Sequence, residues 1–329
     1  MRSFATAAVV AFCTLGHLSH AAAPDRQPPL KIGIVKTLLR GMSENLIRAT
    51  LRPFGLLAEA QTGLQVELSA EPGGVELARS LESGEVDLGI FQGIEFAWAR
   101  SRDPNLRPLM LAQYGSPELG ACLIVRSDSK PKSMESMAGS SLAMPIDSRL
   151  HCHLYLERLV AGAGGRDPKH FFKVVHMSAN AEEALDDVID GSQQAALVDR
   201  VAWACYQRLK PSRATELKVI GESESFPASV VVFRAGRLPS ETLERVQKGM
   251  LNAEKQALGR QLLTLWKLTG FAEVPRGYLP LADSIIRIYP WTGSLPATYP
   301  DPGVQVGSGK CRDTCSVVNH LTRRTPHAK

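Results

Sequence analysis

The chain has 329 residues, 44% of them hydrophobic and 22% charged, with a formal net charge of +5. That length suits two lobes of roughly 100–150 residues rather than one core, and the composition excludes wholesale disorder. After Val304, Lys310, Arg312, Arg323, Arg324 and Lys329 stand against Asp313 alone, so most of the net charge sits in the tail and the rest lacks the clustered basic face of a nucleic-acid binder.

Residues 1–23 read as an export leader. Arg2 supplies the positive start, Ala5 to Leu15 the apolar stretch, and Ser19-His20-Ala21 the small residues before a cut. The apolar stretch is shorter than the ~20 residues needed to span a bilayer. Phe12 precedes Cys13, which does not fit a lipid-anchor signal. The expected location is the periplasm.

Leu30 to Val35 is a short apolar run that predicts a buried strand. Ser43 opens a helix to about Thr62, with Leu46, Ile47, Leu51, Phe54 and Leu57 at helical spacing. Leu64 to Leu68 alternates as a strand, Pro72-Gly73-Gly74 turns, Val75 to Ser83 is helical, and Val86 to Phe91 is a strand. This β-α-β-α-β order implies parallel pairing with helices on both faces. Leu109 to Tyr114 and Leu119 to Arg126 are two further strands.

The pattern then restarts. Ser141 to Met144 is a strand, Ser148 caps a helix to about Val160, Phe171 to Val175 is a strand, Ala181 to Ile189 a helix and Gln194 to Val198 a strand. Val219-Ile220 and Val230 to Phe233 follow, then helix from Leu238 to about Leu268. Residues 285–309, rich in Pro and Gly, are expected to be irregular. Gln113 to Gly120 and Glu222 to Ser229 read as two crossings between lobes, which together make a hinge. The division expected is lobe 1 over residues 29–115 plus 228–290, lobe 2 over 119–224, and a basic tail over 291–329. Past the leader, Cys122, Cys152, Cys205, Cys311 and Cys315 are an odd number. Cys311 and Cys315 are close enough to pair as a small tail disulfide.

Four blocks in this order resemble the phosphate/phosphite/phosphonate-type substrate-binding proteins of ABC transporters, which are type II periplasmic binding proteins. They are Leu30 to Val35, Leu81 to Gly93, Ser127 to Gly139 and Glu222 to Phe233. The resemblance spans about residues 30 to 270. It implies an α/β fold of two lobes joined by a two-strand hinge. It also implies an extracytoplasmic solute-binding protein of an ABC-type uptake system, holding a small anionic, phosphonate- or phosphate-like ligand between the lobes. The family's Ser/Thr/Gly-rich loop before the first helix of lobe 2 is replaced here by Pro145 to His153, which keeps Ser148 and gains Asp147 and Arg149. Fold and ligand capture carry over; phosphonate as the ligand does not.

Ser148 at a helix start and Arg149 beside it suit an anion; a plain cap and a solvated arginine explain them equally. Asp147 repels an anion unless it pairs with Arg149 or a ligand amine. Ser178, Asn180 and Asp199 follow strands of the second lobe, and Lys36, Thr37, Gln92 and Glu95 follow strands of the first. Ligands of open α/β sheets bind beyond such strand ends. The resemblance adds that an acidic residue near Asp199 lies at the cleft and that Glu95 and Phe96 stand where aromatic contacts occur. Tyr114 at the crossing either stacks on ligand or packs in the hinge. The alternative for Ser178 and Asn180 is helix capping, for Asp199 pairing with Arg200 or capping the next helix, and for Lys36 plain exposure.

On His151-Cys152-His153 with Glu157, only His153 and Glu157 align on one helix face, so no metal site is expected. No nucleophile–base pair with a third orienting group, no phosphate loop and no dinucleotide fingerprint is evident. No cofactor is expected. The partners expected are the small ligand and a membrane permease, with no nucleic acid, and the protein itself monomeric. The alternatives are a ligand-sensing module for a membrane sensor, and a lyase or dehydratase on the same fold.

Overall fold

The apolar run after Pro29 does not alternate, and it forms β1 (Leu30–Val35), buried except at Lys31. The structure is a computed structural model and describes residues 28–39, 42–114, 118–130, 133–266 and 268–296. The leader, the tail from residue 297, and the Cys311 and Cys315 pair lie outside the described residues.

α1 (Glu44–Thr62) starts at Ser43, whose Oγ accepts from the Leu46 N–H, and stops at Gly63 with φ 66°. A side chain at that angle would be strained. β2 (Val66–Glu71), α2 (Gly74–Ser83), β3 (Leu88–Phe91), α3 (Gly93–Arg100) and β4 (Leu106–Gln113) complete the first pass through lobe 1. The chain crosses through β5 (Glu118–Leu119) into β6 (Ala121–Arg126), β7 (Ser141–Pro145), α4 (Leu150–Gly162), α5 (Pro168–Phe171), β8 (Val174–Ser178), α6 (Ala181–Ile189), β9 (Ala195–Asp199), α7 (Arg200–Leu209), α8 (Pro211–Ala214) and β10 (Leu217–Glu222). It returns through β11 (Phe226–Pro227) to β12 (Val230–Arg234), α9 (Ser240–Leu251), α10 (Ala257–Leu265), β13 (Gly270–Ala272) and α11 (Tyr278–Ile288).

Lobe 1 holds a sheet of order β13-β4-β12-β3-β1-β2, and lobe 2 one of order β10-β6-β9-β7-β8. β1 pairs parallel with β2 and β3, and β7 parallel with β8 and β9. The returning β12 enters lobe 1 antiparallel between β3 and β4. Both faces of each sheet carry apolar clusters, as parallel strands require. β5 and β11 pair antiparallel, Phe226 opposite Leu119, so the two crossings form one ribbon.

α3, α8 and β13 have no counterpart in the sequence expectation, and four expected elements differ. Asp167 accepts from His170 N–H and Pro168 takes the first helical position, so α5 takes Phe171, expected to open a strand, and β8 starts only at Val174. α4 begins at Leu150 with Arg149, not Ser148, at the cap position. The long helix from Leu238 breaks into α9, a 3-10 turn over Ala253–Lys255 and α10. Residues 285–288, expected to be irregular, finish α11. Among the cysteines of the described residues, Cys205 is disulfide-bonded and Cys122 and Cys152 are not.

Gly93 opens α3 directly against the ribbon. A Cβ there would lie 2.0 Å from the Pro227 carbonyl oxygen and 2.6 Å from that of Ala228. Gly93→Ala is therefore expected to destabilise the fold by about 1–3 kcal/mol, the usual cost of overpacking. Urea denaturation of the two proteins measures it; an unchanged midpoint would show that the ribbon yields freely.

Candidate functional site

The turns after β1 and β3 bring Thr37, Gln92 and Glu95 to one edge of lobe 1. Thr37 Oγ1 donates to Glu95 Oε2 at 2.5 Å, and the Gly74 N–H donates to Oε1 at 3.0 Å. Gln92 is buried at the cap position of α3. Glu95 is only 2% exposed. Burial pushes its carboxyl up to about 7, against the opposing pull of Thr37, Gly74 and Gln92. These three residues form a closed, self-satisfied group. Lys36 pairs with Glu44 at 2.6 Å. Phe96 lies in the core, with its ring 6.4 Å from that of Phe91 and 6.1 Å from that of Tyr278.

In lobe 2 the turn after β7 carries the other half. The Ile146 N–H donates to the Ser178 carbonyl at 2.9 Å, tying the ends of β7 and β8 together. No side chain caps α4. Ser148 Oγ is buried beside that helix start with no hydrogen-bond partner. The first N–H groups of a helix have no carbonyl partner within it and carry its positive dipole end. Arg149 places its guanidinium 3.8 Å from the centroid of the Tyr114 ring, so a residue of lobe 2 covers one of lobe 1. Asp147 is exposed on the same turn.

Asp199 ends β9. Its Oδ1 accepts from the Val201 N–H at 2.7 Å and starts α7. Its Oδ2 lies 3.0 Å from His151 Nε2. Burial alone would raise this carboxyl; His151, with smaller help from Arg149 and the Val201 N–H, outweighs it and holds the group at about 2. Ser178 Oγ donates to Asp187, and Asn180 Oδ1 accepts from the Glu183 N–H to start α6. The structure thus brings Tyr114, Ser148 and Arg149 together. Asp199 joins them through His151, while Ser178 and Asn180 serve their own lobe.

The lobes meet in an apolar cluster where Leu150 of α4 packs with Ile94 and Trp98 of α3, Phe226 of the ribbon and Tyr289 after α11. The His151 ring lies 5.4 Å from that of Phe226. Glu224 accepts from Arg158 of α4 at 2.5 Å and from the Tyr289 hydroxyl at 2.7 Å. One carboxylate on the return crossing therefore holds both lobes.

Residues 41–276 match the family described as ABC transporter, phosphonate, periplasmic substrate-binding protein. The chain belongs to that family. Solved relatives agree in fold. A Xanthomonas citri protein bound to ATP has a TM-score of 0.54 at 17% identity, covering 79% of this chain and 98% of its own. PhnD1 from Prochlorococcus marinus in complex with methylphosphonate has a TM-score of 0.53 at 16% identity, covering 79% and 97%. No curated protein matches the sequence directly. The architecture of this phosphonate-type binding protein is that of the type II periplasmic binding proteins. No helix among the described residues is long and apolar enough to cross a membrane.

Sequence reasoning missed His151 as the partner of Asp199, and Arg158, Glu224 and Tyr289 as a bridge. The only sequence signal for His151 was its place in the first turn after β7; its partner comes from a different strand.

The Glu95 group makes a pH prediction. Its folded pKa of about 7 exceeds the ordinary value near 4.5, so the folded state favours the neutral acid. The associated stability is full below the ordinary value and is lost as pH rises through about 7. Glu95→Gln mimics the neutral acid and removes this dependence. The variant is expected to gain stability relative to the parent between those two pH values. Thermal melts across the range check it; parallel pH profiles would show Glu95 to be ionised throughout.

Proposed function

We propose that this protein captures a small oxyanion of the phosphonate or phosphate type between its lobes in the periplasm and presents it to the permease of an ABC transporter. The observation that carries this reading is Ser148, whose buried Oγ lacks a partner beside the uncapped start of α4. A tetrahedral oxyanion there would receive the first-turn N–H groups and the Ser148 hydroxyl. Arg149 would add a charge-assisted contact by swinging from the Tyr114 ring. Tyr114 then becomes the wall supplied by lobe 1.

Selectivity follows from what surrounds that end. Asp199 is already engaged by His151 at 3.0 Å and by the Val201 N–H at 2.7 Å. The closed Glu95 group adds no cation on the lobe 1 side, so most of the grip comes from lobe 2. Ligand held by lobe 2 gains its lobe 1 contacts only on closure, and this difference shifts the population toward the closed form. The permease reads that form. The family membership and the methylphosphonate in PhnD1 from Prochlorococcus marinus support the ligand class.

Calorimetry with methylphosphonate, phosphate and sulfate tests the reading. Arg149→Ala is expected to weaken the best of these by about 10–100-fold, the worth of a charged hydrogen bond. Ser148→Ala is expected to weaken it by roughly 5-fold, the worth of a neutral one. Equal affinity in both variants and the parent would reject this pocket, and turnover of a bound compound would reject a pure binding role.

A further inference from the structure

We propose that His151, Cys152 and Asp199 form a site for a borderline transition-metal ion of the zinc class where α4 meets the end of β9. One ligand atom from each residue, an imidazole nitrogen, a sulfur and a carboxylate oxygen, lies within 4.8 Å of the others. His151 and Cys152 are buried, and Asp199 is partly so. No other such group of three occurs among the described residues.

The hydrogen bonding within this cluster is incomplete. His151 Nε2 faces two acceptors, Asp199 Oδ2 at 3.0 Å and the Gly120 carbonyl at 3.3 Å. One N–H cannot serve both well, and Oδ2, though 3.0 Å from His151 Nε2, takes no well-aligned hydrogen bond. A buried, unserved carboxylate oxygen is costly. A cation between Nε2, Oδ2 and the Cys152 sulfur would serve it. Imidazole with thiolate favours zinc, cobalt or a similar ion over calcium or magnesium. Coordination requires the Cys152 thiol to lose its proton to solvent and the imidazole to carry its proton on Nδ1. Three protein ligands leave a position for the Gly120 carbonyl, water or an oxygen of a cleft ligand.

The helix alone does not make this site. Neighbours in one helix diverge, and His153 and Glu157 take no part in the cluster. The third ligand comes from β9, and its arrival brings the first two into use. Metal binding here does not rest on the oxyanion reading.

Titration of the chelator-treated full chain, its disulfide left intact, with Co²⁺, without added oxyanion, tests it. One equivalent is expected to produce a thiolate-to-cobalt charge-transfer band in the near ultraviolet. Cys152→Ser should abolish the band, and Cys122→Ser should keep it. Asp199→Asn, which retains an oxygen to start α7, should weaken cobalt binding more than 10-fold, about the least that loss of even an outer-shell partner costs. No band in the parent, or a band that survives Cys152→Ser, overturns the proposal. Should Cys152→Ser fail to fold, unchanged cobalt affinity in Asp199→Asn overturns it as well. Oxyanion calorimetry in chelator is a separate reading, so either result can fail alone.

Discussion

The chain crosses between its sheets twice, and the two crossings must lie side by side. That constraint organises the molecule. β5 and β11 are each two residues long, too short to hold by pairing alone. Neighbours on both lobes supply the rest. Gly93 lets α3 press on the Pro227–Ala228 backbone, and the Tyr278 hydroxyl donates to the Ala228 carbonyl at 2.8 Å. Phe226 lies between His151 of lobe 2 and Tyr289 of lobe 1. The ribbon is thus an apolar joint with polar stitching, and it places the start of α4 opposite the end of β4.

The two rims of the cleft differ in electrostatic character. The lobe 1 rim buries Glu95 and satisfies it internally, with Thr37 and Gly74 as donors. The lobe 2 rim leaves the start of α4 uncapped and Ser148 unpaired. Native helices seldom leave their first N–H groups without a side-chain or ligand partner when buried. Arg149, parked on Tyr114, is a cation held near this end rather than committed to a carboxylate. An anion arriving there would meet donors already in place, and the reorganisation needed is one arginine side chain.

Much of the fold was legible because each signal is local. The unbroken apolar run of β1, Ser43 at the start of α1 and the Pro72-Gly73-Gly74 turn before α2 all act within a few residues. The restart of the β-α-β pattern after the first crossing implied the second lobe. Boundaries failed where local chemistry competed with hydrophobicity. Phe171 and Phe172 read as strand, but Asp167 and Pro168 start a helical turn first. The helix breaks over Asn252 to Gln256, and Gly259 in α10 packs against that turn, where a Cβ would lie 1.8 Å from the Ala253 carbonyl oxygen.

The sequence by itself determined the α/β class, the two lobes, the paired crossings and the family, because strand runs, caps and glycine punctuation are short-range properties of the chain. It also marked Ser148 and Arg149, since a helix start after a strand end is visible in one dimension. Only the tertiary structure decided that Glu95 closes on Thr37 and that Arg149 lies over Tyr114. It alone joined His151 to Asp199. Each of those contacts joins residues from different elements, and the distance between them is fixed by how the sheets and the ribbon pack rather than by the residues in between.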